Sequence, residues 1–342
     1  MYNCKIIADS LSPHAERLIT FVATYPRIIH SDVMTHRVFA RNSASSRAIP
    51  FKKMRKMVLD TPFIPFAWQT AHTGMQGSEY HTGNIIKLLQ FLWIGASYAA
   101  VFFATLLNLL KVTKQLANRL LEPFMWHTVA ITTHIDGLEN FFKLRCPQYN
   151  LEGTLHKSWK EVVKEAIQNS SFGKYDIAAL KAMPLIGKLK RNRSQADIHI
   201  QELAERMYNA YKKSTPKQLL PGEWHIPNEE EIEQTFNLYQ RLDKKLIPDI
   251  VKVSTMQMAR ISYTTLEDMQ TWTVEKYIEK HDLLKSADPF HASPFEHCAK
   301  AMSDKDLDNY MLIENGIVYP GRCRNFTGFI QYRVLVEHKL IS

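Results

Sequence analysis

The chain has 342 residues, 43 Lys and Arg against 34 Asp and Glu for a net charge of +9, and 45% hydrophobic residues with 12 Gly and 15 Pro. This balance excludes collagen-like, low-complexity and wholly disordered classes and leaves a globular chain. A core of this size needs no disulfide or metal staple. Cys4, Cys146, Cys298 and Cys323 are scattered with no C-x-x-C or zinc-ligand spacing, so they read as free thiols of a reducing compartment and no metal site is expected.

The N-terminal MYNCKIIADSLSPHAER lacks both an apolar secretory core and an Arg-rich transit character, so a cytoplasmic location is expected. Leu18 to Tyr25 is β-branched and aromatic and predicts a strand ended by Pro26, with a helix over Ile28 to Phe39 after it. Beyond the loop-rich stretch from Pro62 to Gly83, Leu88 to Leu110 carries no charge and is bounded by Lys87 and Lys111. That length suits a membrane span, a buried core helix or a subunit interface, and its polar Gln90, Ser97, Thr105 and Asn108, with no second span, favour the buried or interfacial helix. Pro123 should stop or kink its continuation, and a further apolar run brings Asn140 and Arg145 to its end.

Pro147 to Arg193 holds nine Lys and Arg against four Asp and Glu and reads as a basic insertion, a solvated excursion more than a nucleic-acid surface. A helix with Leu203, Met207 and Tyr211 on one face should follow, then a loop at PGEWHIP. Asn228 with Glu231 looks like a capping box for a helix carrying Ile232, Phe236 and Tyr239, with two more helices before Asp288. The last fifty residues predict a short helix at HASPFEHCAKAM and a terminal strand in NFTGFIQYRVLV. The fold class expected is α+β, long helices on a small, mostly antiparallel sheet in a single domain over 1–342, whose part 228–342 closes the chain.

Dinucleotide, P-loop, serine-hydrolase and zincin signatures are all missing. What stands out is the run from Thr35 to Ala48, with His36, Arg37, Arg41, Asn42, Ser43, Ser45, Ser46 and Arg47. Arg forks bind phosphate bidentately, Ser hydroxyls complete such a cradle, and Asn reads an amide edge of a heterocycle. A solvated loop at a helix end, its serines capping the next turn, is the structural alternative.

The run resembles the signature of the flavin-dependent thymidylate synthases, Arg-His-Arg, seven residues, then Ser, here Thr35-His36-Arg37 and Ser45 with Asn42 and Arg47 in register. Thr35, Ala40, Ser43 and Ala48 depart from it. Asn118 to Pro123 resembles the family's Ala-Arg-x-x-Leu-Pro, Asn140 to Arg145 its Asn-Phe-x-x-Leu-Arg, and Ala196 to Ile200 its Ala-Gln-x-Glu-Ile with Asp197 and His199 exchanged. Ala259-Arg260-Ile261-Ser262-Tyr263 and Ser293-Pro294-Phe295-Glu296-His297 resemble two boxes that precede the signature in the family and follow it here, so the chain is similar to a rearranged, phage-type member.

The resemblance implies reduced FAD charged by NADPH, methylenetetrahydrofolate as carbon donor, dUMP as substrate and dTMP as product, in a homotetramer whose sites combine several chains. Arg145 would stabilise negative charge on the pyrimidine. Ser43, Ser45, Ser46, Arg47 and Arg119 would hold the nucleotide, and Thr35, His36, Arg37, Asn42, Asn140 and His297 the flavin. Without a Pro-Cys-His arrangement, a classical thiolate mechanism is disfavoured. A sister hydroxymethylase acting on dUMP or dCMP is the close alternative, and a non-catalytic nucleic-acid or membrane-associated protein is the alternative of another class. Arg119 and Arg145 as helix-end cations, His36 and His297 as core or cap histidines, and Phe141 and Phe142 as core side chains are the structural readings beside these roles.

Overall fold

The β-branched run at Leu18 to Tyr25 lies at the centre of the largest sheet. The computed structural model describes residues 1–73, 77, 79–169, 171–238, 248–263, 272–314 and 317–340. β1 (Asn3–Leu11) and β2 (Arg17–Pro26) form an antiparallel hairpin, and β4 (Trp126–His134) and then β3 (Ala40–Ser43) extend the sheet from β2. β2 is covered on both faces and is accordingly buried along nearly its whole length. Thr20 stands opposite Thr132 and Thr24 opposite Thr128 across the ladder, their hydroxyls 2.7 and 2.9 Å apart.

Where a helix was expected over Ile28 to Phe39, a 3-10 turn at Arg27–Ile29 leads into the single turn and a half of α1 (His30–Met34). Val33, Val38 and Phe39 pack into the core beneath the sheet, and that burial, not helix propagation, sets the path. α2 (Phe51–Asp60) and α3 (Ile85–Leu109) follow. Lys111, at φ 58°, ends the apolar helix well before Pro123, which sits inside a 3-10 turn at Asn118–Phe124 after α4 (Lys114–Ala117). Of the buried and interfacial placements expected for α3, the buried one does not hold: Ser97, Val101 and Ala104 are buried, and most of its large apolar side chains face outward. Its packed side meets Met54 and Val58 of α2 and Leu121 and Phe124 of the turn.

α5 (Ile135–Arg145) continues from β4 without a loop. His134 caps it, accepting the Asp136 N–H at Nδ1 while Nε2 meets Glu16 Oε2 at 2.5 Å. Asp136 in the first turn and Lys143 and Arg145 in the last suit the helix dipole. Gly137 allows α5 to cross the segment after α1, since a Cβ there would lie 2.5 Å from Val38 Cγ2. Residues 147–193 are not a solvated excursion. The hairpin β5 (Tyr149–Leu151) and β6 (Thr154–His156) with α6 (Trp159–Gln168), α7 (Lys174–Lys181) and α8 (Leu185–Arg191) enclose their own core of Tyr149, Trp159, Val162 and Leu180. Their charge is surface charge on a packed unit.

α9 (Ile198–Tyr211), capped by the Asp197 carboxylate, buries Leu203 and Met207 as its pattern predicts, and Tyr211 packs at the rim. β7 (Lys217–Gln218) joins the edge of β1 in parallel. The PGEWHIP segment is not all loop: Trp224 and His225 form β8. Asn228 takes a left-handed backbone, φ 58°, and donates its amide to Gln257 Oε1 at 3.0 Å, so the expected capping box at α10 (Glu229–Phe236) does not form. Tyr239 lies outside the described residues. α11 (Asp249–Arg260) and α12 (Val274–Lys285) are the two helices expected next.

A 3-10 turn at Ser293–Glu296 then precedes β9 (Ala299–Ala301) and α13 (Asp304–Asn309). β10 (Met311–Glu314) pairs with β11 (Ile317–Pro320), and β12 (Arg322–Cys323) with β13 (Phe326–Thr327). The terminal run is split, β14 (Phe329–Gln331) giving way to α14 (Tyr332–Glu337). Tyr332, Val334, Leu335 and Val336 bury there against the cluster built on α11 and α12, a tertiary demand that overrides β-propensity. The result is α+β in three layers. α5 and α9 cover one face of the large sheet, and α11 with the sheet β8–β9–β14 covers the other.

Candidate functional site

The run from Thr35 to Arg47 passes along the edge of the large sheet and links three groups of polar side chains. In the first, Arg145 at the end of α5 donates from Nε to His36 Nε2 and from Nη2 to Thr35 Oγ1, both at 3.2 Å. His36 is buried, its ring edge-on to Phe141 at 4.8 Å, and burial followed by the Arg145 and Arg41 charges presses its pKa down to about 4. It is therefore a neutral imidazole with its proton on Nδ1. Arg41 braces the turn by donating to the carbonyls of Val33 and His36 at 3.1 Å. No carboxylate among the described residues lies within ion-pair distance of Arg145, so its charge is available to an anionic or polarisable oxygen. Arg37 is exposed.

The second group is the loop after β3. Ser46 donates to Glu122 Oε1 at 2.5 Å, and Arg119 and Arg27 approach the same carboxylate at 3.7 and 3.9 Å. Asn118 donates to the carbonyls of Ser46 and Ile49 at 2.6 and 3.0 Å, while the Ser45 amide donates to the Ser262 carbonyl at 2.9 Å. The loop is thus clamped on both sides with Arg47 exposed at its tip, an arrangement that presents Ser43 and Ser45, both half-buried, beside Arg47 and Arg119.

In the third group Asn42 faces α11. It donates to the Met258 carbonyl, and its Oδ1 accepts from Ser262 at 3.4 Å and Ser293 at 3.3 Å. These residues open onto a cleft of about 330 Å³ whose wall includes Tyr263, Trp272, Leu284 and His291. The guanidinium of Arg260 stacks over Trp272 at 4.3 Å and donates to Tyr277 Oη at 2.8 Å. A cleft of this size with an aromatic and aliphatic lining and a few convergent polar groups suits a planar heterocycle.

Next to this face, His297 is fully buried and its Nδ1 meets Thr132 Oγ1 at 2.8 Å. Thr132 meets Thr20 at 2.7 Å, Thr20 meets His225 Nε2 at 2.8 Å, and His225 Nδ1 meets Ser10 Oγ at 2.8 Å. Burial presses the pKa of each imidazole to about 3, so both are neutral. Each of the five groups then has one proton, and with Thr20 and Thr132 each spending its hydroxyl proton inside the chain the four bonds all run one way. Both imidazoles carry the proton on Nε2, or both on Nδ1. The far nitrogen of His297, Nε2, has no partner among the described residues.

Asn140 stands apart. Five residues before Arg145, it is turned by about 140° around α5, and it lines a separate cleft with Lys157, Tyr208, Tyr211 and Lys212. Phe141 and Phe142 are core side chains. One chain therefore joins Thr35, His36 and Arg145, joins Ser46 and Arg119 through Glu122, joins Asn42 to both C-terminal boxes, and leaves Arg37 and Asn140 outside these groups. Glu122, Thr132, His225 and Trp272 escaped the sequence reading. The alternation of Thr128, Thr132 and His134 along β4 marked Thr132 as facing one side of the sheet, but its partners lie more than a hundred residues away.

No known family profile and no curated sequence relative matches the chain. Among solved structures it is similar to a UMP/dUMP methylase PolB from Streptomyces cacaoi bound with 5-Br dUMP, at 12% identity and TM-score 0.43 over 62% of this chain and 91% of the other. The same protein bound with 5-Br UMP gives 14% and 0.42 over 62% and 89%. A flavin-dependent thymidylate synthase ThyX from Helicobacter pylori, complexed with FAD and dUMP, gives 13% and 0.28 over 57% and 67%. Likeness of this degree leaves the function to be argued from the chain's own residues.

Proposed function

We propose that the chain is a flavin-dependent thymidylate synthase-like enzyme that transfers a one-carbon unit from methylenetetrahydrofolate to carbon 5 of dUMP, giving dTMP, with NADPH as the source of hydride. The observation that carries this reading is the meeting of Asn42 with Ser262 and Ser293 at one cleft, since these residues come from three blocks of the resemblance and Asn42 is more than two hundred positions from the other two. A chance match of short motifs has no reason to converge in space.

The residues fit a flavin. The cleft offers Trp272 and Tyr263 to a planar ring, Asn42, Ser262 and Ser293 to its polar edge, and the unpartnered Nε2 of His297 is a buried polar atom on the same side of the sheet. Bound there, a reduced flavin supplies hydride. Thr35, His36 and Arg37 would hold the same cofactor from the other side of β3, and Asn140 from a neighbouring copy. Arg145, fixed by His36 and Thr35 and not neutralised by a carboxylate, stabilises negative charge on the pyrimidine, and Ser43, Ser45, Ser46, Arg47 and Arg119 hold the nucleotide. The separate cleft of Asn140 supports a site completed between copies, and the copies would form the tetramer that the resemblance implies, in the cytoplasm.

The test is the mass of the nucleotide product formed from dUMP, methylenetetrahydrofolate, FAD and NADPH. A product heavier by one methylene group, lost in Arg145→Ala, is expected. Thr35 and Ser43, where the resemblance calls for Arg and Glu, leave a hydroxymethylating relative as the second reading, identified by a product that also retains the oxygen of water. A nucleotide returned unchanged from dUMP and from dCMP overturns both.

A further inference from the structure

We infer that α3 is an in-plane membrane anchor that inserts its outer face into an anionic lipid leaflet. The inference stands independently of the proposed chemistry. From Asn84 to Leu121 the chain has no carboxylate, and α3 itself is charge-free beyond Lys87. At about 100° per residue, the solvent-facing side chains of α3 cover about half its circumference. That arc is apolar along its whole length, with Leu88, Phe91, Leu92, Phe102, Phe103 and Leu109 all exposed, Phe91 by 70% and Phe102 by 58%. Monomeric soluble surfaces seldom carry a continuous apolar patch of this extent.

Two features of the surroundings choose the occupant. The first is geometry: Trp93, Ala100, Val101, Ala104 and Leu107 hold the opposite side of α3 against α2 and the turn at Asn118–Phe124. A helix docked in this way from Trp93 to Leu107 lies tangent to the protein body over that stretch, which suits a place in the interface with its free arc in the acyl boundary better than a crossing of the bilayer. The second is charge. Lys87 and Lys111 mark the two ends of the arc, Lys114 follows, and the adjoining α2 exposes Lys52, Arg55 and Lys56 with Asp60 as its single carboxylate. A basic frame around an apolar arc complements an anionic headgroup layer. Two copies of the same arc brought face to face would oppose like charges, which disfavours a second copy as the cover.

The full-length protein is sedimented with extruded vesicles of phosphatidylcholine alone or with added phosphatidylserine. Binding to the anionic vesicles is expected, about tenfold or more weaker on phosphatidylcholine alone and falling with salt. Phe91→Ser with Phe102→Ser removes binding while the circular dichroism and melting temperature stay unchanged, because both side chains already face solvent. Lys52→Ser with Arg55→Ser and Lys56→Ser weakens it by about a hundredfold, each cation near the surface contributing about fivefold. The inference is overturned if folded wild-type protein fails to bind anionic vesicles at low salt, or if the phenylalanine variant binds as well as its parent. It is equally overturned if velocity sedimentation shows an oligomer that the phenylalanine variant dissociates while no vesicle binding occurs, which would assign the arc to a second copy.

Discussion

Replacing Thr132 by Val tests whether the buried chain from Ser10 to His297 is a single cooperative unit. Valine keeps the shape of the side chain and removes a hydroxyl that bonds Thr20 at 2.7 Å and His297 Nδ1 at 2.8 Å. Thr20 retains His225 Nε2 and loses little. Among the described residues Thr132 is the side-chain partner of His297 and its Nε2 has none, so a fully buried imidazole is left with an N–H that none of them accepts. An unsatisfied buried donor costs about 1–3 kcal/mol, and the lost bond to Thr20 adds about 1 kcal/mol, so a loss of about 3 kcal/mol is expected. With an unfolding entropy near 2.1 cal/mol/K per residue, 342 residues give about 0.7 kcal/mol/K, and the midpoint falls by about 4 °C. Thr132→Ser keeps the hydroxyl and should cost about 1 kcal/mol for its methyl alone. Differential scanning calorimetry gives the shift, and nitrogen-resolved imidazole NMR gives the tautomers. In the wild type His225 and His297 carry the proton on the same-named nitrogen, and in Thr132→Val they are independent. A Thr132→Val melting point within 1 °C of the wild type, or opposite tautomers in the wild type, would refute the reasoning.

Acid should unfold the protein through these groups. The pKa values of His225 and His297 lie near 3 in the folded chain, below the ordinary 6.5, so the unfolded state binds more protons between those limits and stability falls with falling pH. The two together should remove roughly 2.7 kcal/mol per pH unit below pH 6, and urea titrations at pH 7 and pH 5.5 that give equal stabilities would contradict this. Gly137→Ala drives a methyl to 2.5 Å from Val38 Cγ2, and should cost about 1–3 kcal/mol while loosening the His36–Arg145 contact, read by urea unfolding and by nucleotide affinity. Arg145→Lys keeps the charge but loses the fork that spans His36 and Thr35, and kcat on dUMP should drop by about a hundredfold with the fold intact. In Arg145→Ala the His36 pKa should rise from about 4 toward its ordinary value, a shift that proton NMR reports directly.

What could be read from the sequence was what local chemistry decides. The strand at Leu18 to Tyr25, the buried face of α9 and the paired helices α11 and α12 follow from side-chain period and propensity. His36 belongs to the polar run that residue type marks, Arg145 enters through the resemblance, and the structure places the two in contact. The misreadings share a physical cause. Asn228 has the chemistry of a cap, but its backbone is left-handed and its side chain, tied through the amide to Gln257 of α11, makes no bond to the first turn of α10. The β-branched end of the chain folds into α14 because Tyr332 and Val336 pack there into the core cluster of α11 and α12. An uncharged stretch such as α3 announces apolarity and says nothing of what covers it. The chain of hydroxyls and imidazoles was illegible for the same reason, since each partner is supplied by a different element.

The central claim is that the residues gathered from the three blocks form a flavin site that answers to a pyrimidine nucleotide. The measurement is the visible absorption spectrum of the purified protein after incubation with FAD and removal of the excess, repeated on addition of dUMP. Retained flavin whose bands shift when dUMP is added is expected, with weaker retention in Asn42→Ala, where the link between Ser262 and Ser293 is cut. Protein that emerges free of flavin, with or without nucleotide, would contradict it.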